Sequence, residues 1–457
     1  MDTTKEKLQK NLKLKRSRIN KLILIPAVII LLVVLMVLVY RIPAVHERLY
    51  WRVSSLRADI YYYFNPPEAI AFNPTQQGEL DEVVASTLTA MAPTATQTPT
   101  ITPTQVITPT PTQTQLPTQT PTQIPEAVKL AGIKFEGQDF NNCGPTNLSI
   151  ALSYWGWKGD QFVTAKVLKP RIEDRNVMPY EMADYVLSQT GFNVVLRYGG
   201  DNEMLKRFIA GGFPVLIERG FEVAKKGWMG HYGVVYAYDD ATQKFRIPDT
   251  YEGDRSIGYD ELERYWGHFD RIYLVVYPPH RESEVMDILG PHAEKDYNLR
   301  YAAEDAANRT YQAEGRELFF TWYSRGTILT QMADYYGASQ AYDEAFAVYR
   351  NLPTEERPWR ILWYQTGPFF AYYYTGRYYD VLALADQTLE LSPEDAIPET
   401  WVWRGRAKAM LGDTSGAIAD FRQERLSARK RDVGHTSFQK LPVSDKFANT
   451  VVPAQPE

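Results

Sequence analysis

Cysteine is almost absent: Cys143 is the only one in 457 residues. An internal disulfide is thereby excluded, and so is a zinc site built from cysteine pairs. No His-Glu-x-x-His run is present either, so the sequence carries no metal motif and no cofactor is expected. Histidine is scarce too, with six in the chain. Excess positive charge is also missing, since the net charge is −5. That gives no case for the concentrated basic face that binding to phosphate backbones requires; the one basic cluster, within residues 1–21, reads as topology, and no nucleic-acid partner is expected.

Two long stretches lack charge altogether, for different reasons. Residues 22–40, "LILIPAVIILLVVLMVLVY", are long and apolar enough to cross a hydrocarbon core, which predicts a single transmembrane helix and membrane binding through residues 22–40. The basic residues of segment 1–21 outnumber those just after the apolar run, so the N-terminus is expected in the cytoplasm and the rest of the chain outside. Within 41–85, "HERLYWRVSSLRADIYYYF" reads as a juxtamembrane helix that stops at Pro66 and Pro67. The second uncharged stretch, 86–125, is a Thr/Pro/Gln tract with few large apolar residues. It cannot bury enough surface to fold and predicts an extended linker reaching on the order of 100 Å at about 3.1 Å per residue.

Two folded units follow. Residues 128–279 show helical spacing after Cys143, at "YEMADYVLSQTG" and at "NEMLKRFIAGG", then strand patterns at "FPVLIER", "HYGVVYAYDD", "KFRIPD" and "RIYLVVYPP" with "YDELERYWG" between the last two. Helices first and strands afterwards predict an α+β domain with a mostly antiparallel sheet. Residues 296–426 are helical and self-similar: Trp322, Gly326, Ala338 and Tyr342 align with Trp401, Gly405, Ala417 and Phe421, and a middle copy keeps Trp363 and Gly367. A helical hairpin of about 34 residues resembles the tetratricopeptide repeat, which implies an all-α solenoid that docks a protein partner. Residues 427–457 form a tail.

An unpaired thiol is either a small buried hydrophobe or a reactive group. Cys143 stands ahead of "GPTNLSIALSYW", where Pro145 suits a first turn and Leu148, Ala151, Leu152 and Trp155 form an apolar stripe. A helix N-terminus lowers a thiol's pKa, and a thiolate nucleophile then needs a base and a group that orients the base. Of the histidines, His46 lies beside the apolar run, His292 and His435 fall outside the α+β unit, His280 follows its last strand, and His268 lacks an orienting partner. His231, in "GWMGHYGVVYAYDD", remains, at the entry to a strand. Asp249 ends the next strand and adjacent antiparallel strands bring the two together, although Asp239, Asp240 and Asp254 lie close in sequence.

"QDFNNCGP" before an apolar helix, "GHY" opening a strand and an Asp after a further strand together resemble the papain-like cysteine peptidases of the bacteriocin-leader-processing, double-glycine type. The likeness is to the stand-alone, extracytoplasmic branch that bacteria also fuse to tetratricopeptide repeats. It implies an α+β papain-like domain acting on a peptide or protein substrate in the bacterial cell membrane's outer space. Cys143 would be the nucleophile, His231 the base and then the acid, Asp249 the orienter and Gln138 an oxyanion donor. The departure is that no transporter domain accompanies the unit and the chain faces outward, so cleavage after a double-glycine leader does not carry over. Two other readings stay open: a non-catalytic surface scaffold, and an amidase or transpeptidase using the same thiol on cell-wall peptides.

Overall fold

The computed structural model describes residues 28, 30–32, 34–67, 71–74, 124–169, 174–223, 226–392 and 397–428. The expected linker, apart from its last two residues, the basic segment 1–21 and the tail from residue 429 lie outside these. So do residues 22–27, 29 and 33 of the expected membrane span. Residues 34–40 are helical, and the apolar side chains of 34–39, Leu35, Met36 and Leu38 among them, are all exposed. Among the described residues no helix is long and apolar enough to cross a membrane. Helix α1 (Pro43–Phe64) follows, with Pro43 in its first turn, where no backbone N–H is needed. Residues 1–67 form one compact unit and 68–457 a second.

The second unit opens with β1 (Ala127–Lys129), then three helices, α2 (Cys143–Tyr154), α3 (Gln161–Leu168) and α4 (Pro179–Gln189). After β2 (Asn193–Arg197) and α5 (Asn202–Ala210) come β3 (Val215–Val223), β4 (Gly227–Val235), β5 (Ala237–Asp239), β6 (Lys244–Asp249) and β7 (Gly253–Gly258). Helix α6 (Tyr259–Gly267) and β8 (Tyr273–Tyr277) complete the α+β part. The strands make two four-stranded antiparallel sheets, in the orders β2-β8-β3-β4 and β1-β5-β6-β7.

Alternation along β3 and β8 explains why the first sheet is covered on both sides. Leu216, Leu274 and Val276 pack with Leu148, Leu152, Met182 and Val186 of α2 and α4. Val215, Ile217, Tyr273 and Val275 face the opposite layer, with Phe208 of α5 and Trp266 of α6. A period of two in side-chain direction puts neighbours on opposite faces, so near-continuous apolar runs such as "YLVVY" are what a sheet buried on both faces requires.

Beyond α7 (Glu282–Leu289) every described element is helical: α8 (Lys295–Arg309), α9 (Gly315–Gln331), α10 (Tyr335–Asn351), α11 (Ile361–Tyr364), α12 (Gly367–Tyr374), α13 (Tyr378–Glu390), α14 (Pro398–Met410) and α15 (Thr414–Ala428), apart from short 3-10 turns. The aligned residues do the same work in two hairpins. A Cβ on Gly326 would lie 2.7 Å from the Tyr342 ring, and one on Gly405 would lie 2.8 Å from the Phe421 ring. Each hairpin also starts its second helix on the same cap, with Gly337 N–H donating to Asp334 Oδ1 at 2.9 Å and Gly416 N–H donating to Asp413 Oδ1 at 2.9 Å. The middle copy differs: its first helix is split into α11 and α12 at Gln365 and Thr366. Pro368 disfavours helix before it, and Gln365 is engaged elsewhere, donating through Nε2 to His268 O at 2.8 Å and accepting from Tyr323 Oη at 2.6 Å.

Candidate active site

Cys143 is the first residue of α2 and partly exposed, while the residues from Gly144 to Leu152 are buried. As a first-turn residue its N–H has no partner within the helix, and the helix dipole favours negative charge at that end. The approach to Cys143 is held from outside the helix. Gln161, 4% exposed, accepts at Oε1 from Asp139 N–H (2.7 Å), Asn142 Nδ2 (2.9 Å) and Thr146 Oγ1 (3.0 Å), and donates from Nε2 to Gly137 O at 2.8 Å. Lys169 Nζ donates to Phe140 O at 2.8 Å and Asn141 O at 3.1 Å. These bonds fix a loop in which Asn141 takes a left-handed φ of 52°.

His231 is 4% exposed and sits within β4, opposite Arg219 of β3. The strand begins four residues before it, at Gly227, so the histidine is inside the strand and not at its entry. Its ring stacks on Phe221 with centroids 4.9 Å apart. Nε2 lies 3.2 Å from Asp249 Oδ1 and 3.2 Å from Oδ2, and the Cys143 side chain acts on the same ring, raising its pKa. With Nε2 on the carboxylate, Nδ1 is the nitrogen left for the thiol.

Asp249, the last residue of β6, is fully buried and fully partnered. Arg219 Nη2 donates to its Oδ2 at 2.8 Å, and the N–H groups of Tyr251 and Glu252 each donate to Oδ1 at 2.9 Å. The neighbouring acids are committed elsewhere. Asp239 accepts from Ala241 N–H at 2.9 Å, Asp240 from Tyr259 Oη at 2.7 Å, and Asp254 from Tyr236 Oη at 3.0 Å. His268 is buried against Trp228 Nε1, which donates to its Nδ1 at 3.0 Å, and Glu317 at 3.0 Å from Nε2.

Gln138 is tied to the residue after the carboxylate. Its N–H donates to Thr250 O at 2.9 Å, and its Oε1 accepts from Thr250 Oγ1 at 2.7 Å. With Oε1 so held, the amide nitrogen is the free end to point at a ligand. One organiser went unread in the sequence. Asn147, buried one turn after Cys143, donates through Nδ2 to Cys143 O at 2.9 Å and Tyr232 O at 3.0 Å and reaches Thr250 Oγ1 at 3.4 Å. It links the residues that carry or adjoin all three members of the group. Its signal was a polar residue in the middle of an otherwise apolar helix face.

The electrostatics favour a charged pair. Burial raises the Cys143 thiol, but the hydrogen bond and charge of His231, the Tyr232 backbone and the Lys169 charge outweigh it, so its pKa is lowered. Burial lowers His231, yet its bonds to Asp249 and Cys143 override this and raise it to about 9. Asp249 is desolvated, but His231 and Arg219 hold its carboxyl well below the usual carboxylate range. Lys169 is pushed down to about 8, by burial first. Among the described residues no three His, Cys, Asp or Glu side chains stand together as metal ligands.

A cysteine at a helix start, a histidine and an anchored carboxylate in this order are the parts of a thiol hydrolase. Residues 117–277 match the Peptidase_C39 like family. The match covers about a third of the chain and brackets Cys143, His231, Asp249 and Gln138 within the C39-like domain. Three solved structures align with the same share of the chain. A C39-like peptidase from Bacillus anthracis is 17% identical, covers 33% of this chain and 98% of its own, with a TM-score of 0.28. The peptidase domain of Streptococcus ComA, a bi-functional ABC transporter involved in quorum sensing, is 15% identical over 32% and 98%, with a TM-score of 0.27. A double glycine motif protease from an AMS/PCAT transporter, in complex with leader peptide, is 18% identical over 33% and 98%, with a TM-score of 0.24. At TM-scores this low the likeness says nothing of chemistry, which rests on the side chains of the C39-like domain itself. No curated relative matches the chain.

Proposed function

We propose that the C39-like domain is a cysteine peptidase that hydrolyses peptide bonds through Cys143, His231 and Asp249. The observation that carries this is His231 Nε2 3.2 Å from a buried, fully partnered Asp249, with the His231 ring acting on the Cys143 thiol to lower its pKa. The Cys143 thiolate attacks the scissile carbonyl carbon, and the developing oxyanion takes hydrogen bonds from Cys143 N–H and the Gln138 amide. The His231 proton passes to the leaving amine as the C–N bond breaks, leaving a thioester. Water then attacks the thioester with its proton going to His231, and the acid leaves as the thiolate re-forms. Asp249 keeps the imidazole in the tautomer and orientation both steps need.

The rest of the chain serves this domain. Residues 22–40 anchor it as a single-pass membrane helix with the C-terminal units outside the cell, a reading supported by the exposed apolar side chains of 34–39. The helical array is a tetratricopeptide-type solenoid for a substrate or protein partner. The paired Gly326–Tyr342 and Gly405–Phe421 contacts and the repeated Asp-x-x-Gly caps support it. The test is incubation of the chain with a proteome-derived peptide pool, read by mass spectrometry for new termini. New termini that disappear with Cys143→Ala carry the proposal. Identical pools with both proteins overturn it.

A further inference from the structure

A cavity of about 350 Å³ lies between the C39-like domain and the helical array. It reaches toward the catalytic strand through Tyr364, whose ring packs 2.8 Å from where a Cβ of Gly230, next to His231, would stand. The C39-like side contributes two buried carboxyls, Glu218 of β3 at 2% exposure and Asp270 at 4%. One oxygen of each, Glu218 Oε1 and Asp270 Oδ1, has no hydrogen-bond partner among the described residues, while Tyr232 and Ser324 act on the two carboxyls. Neither forms an ion pair there; the nearest cationic influence on Asp270 is Arg309, whose Nε is 2.8 Å from Asp305.

Buried oxygens without partners are costly and call for one from outside the fold. The helical side supplies aromatic faces, with Tyr335 and Tyr374 stacked at 4.6 Å and Trp403 beside them. Ring faces attract cations. Arg406 also lines the cavity, lying over the Trp403 ring at 4.7 Å, and Glu399 does so too. An anion would meet two buried carboxyls, and an apolar group would leave both oxygens unsatisfied. An ammonium or guanidinium group supplies the donors such oxygens lack.

We propose that this cavity is a specificity subsite that takes the basic side chain, Lys or Arg, of a peptide held across Cys143. The inference rests on the peptidase reading for the peptide itself. Burial pushes Glu218 well above the usual carboxylate range and Asp270 to about 7, positions that a neighbouring cation draws back down. Most of the subsite belongs to the helical array, so the array shapes specificity directly.

The test uses the full chain carrying Cys143→Ser, so that binding is read without turnover. The probes are acetylated, amidated pentapeptide mixtures, randomised except for Lys, Arg, norleucine or Glu at one position in turn, measured by calorimetry. At one position Lys and Arg mixtures should bind at least tenfold more tightly than norleucine and Glu. In Glu218→Gln/Asp270→Asn, shown folded by its melting curve, that preference should fall within twofold. Equal binding of Lys and norleucine at every position, absence of binding by any mixture, or a preference that survives the double variant overturns the subsite. Cleavage of the same mixtures by the parent chain separates the two readings. Binding without cleavage keeps the subsite and removes the peptidase, and cleavage indifferent to basic residues does the reverse.

Discussion

Asp249 shows how one side chain can serve stability and chemistry together. It neutralises Arg219, whose side chain is 5% exposed, and it orients His231. Removing one partner of a buried ion pair leaves an uncompensated charge, so Asp249→Ala should cost about 3–5 kcal/mol in urea unfolding. Because the folded carboxyl ionises more readily than an unfolded one, with its usual value of about 3.9, its contribution is complete above that pH and is lost on acidification. The gap between parent and variant should therefore narrow as pH falls below about 4. Asn147→Ala makes a different prediction: three acceptors around the site lose one donor, at about 1–3 kcal/mol. Peptide cleavage should fall more steeply than stability predicts, and equal losses would show a purely structural role. Cys143 and His231 were legible from rarity and context. Gln161 and Lys169 were not, because their bonds run to loop carbonyls and side chains that only the folded chain brings near, and Asn147 showed only as a polar residue in an apolar helix, its partner Tyr232 O lying 85 residues away.

Elements read well where burial imposes a period. Helix α2 was legible from Pro145 and the stripe through Leu148 and Trp155, and β3, β6 and β8 from apolar runs bounded by turns. Strands β2 and β7 were not read. "NVVLR" is short, and in "GDRSIG" only Ile257 is buried, so neither shows the alternation that a half-buried strand needs. The start of β4 was missed because "GWMG" is glycine-rich, yet there the missing Cβ atoms admit Tyr364 at Gly230. The helical hairpins rest on a similar economy. A Cβ at Gly326 would overlap the Tyr342 ring, so Gly326→Val should destabilise by about 1–3 kcal/mol through overpacking. An unchanged melting temperature would mean that the hairpin repacks freely.

At the scale of the molecule, the sequence displayed an apolar run, a linker, an α+β unit and a repeat array, but not the cavity between the last two, which depends on how α11 and α12 pack beside His231 and Glu218. The proposed peptidase depends on whether the Cys143 thiol is activated. The most direct measurement is the pH dependence of iodoacetamide alkylation at Cys143, which needs no substrate and, with one cysteine in the chain, no site assignment. The thiol is lowered and His231 raised to about 9, so alkylation should remain rapid below about pH 7 in the parent. In His231→Ala it should be slow there and rise only toward about pH 8.5, the value of an ordinary thiol. The same slow profile in both proteins would contradict the activated pair and with it the proposed peptidase.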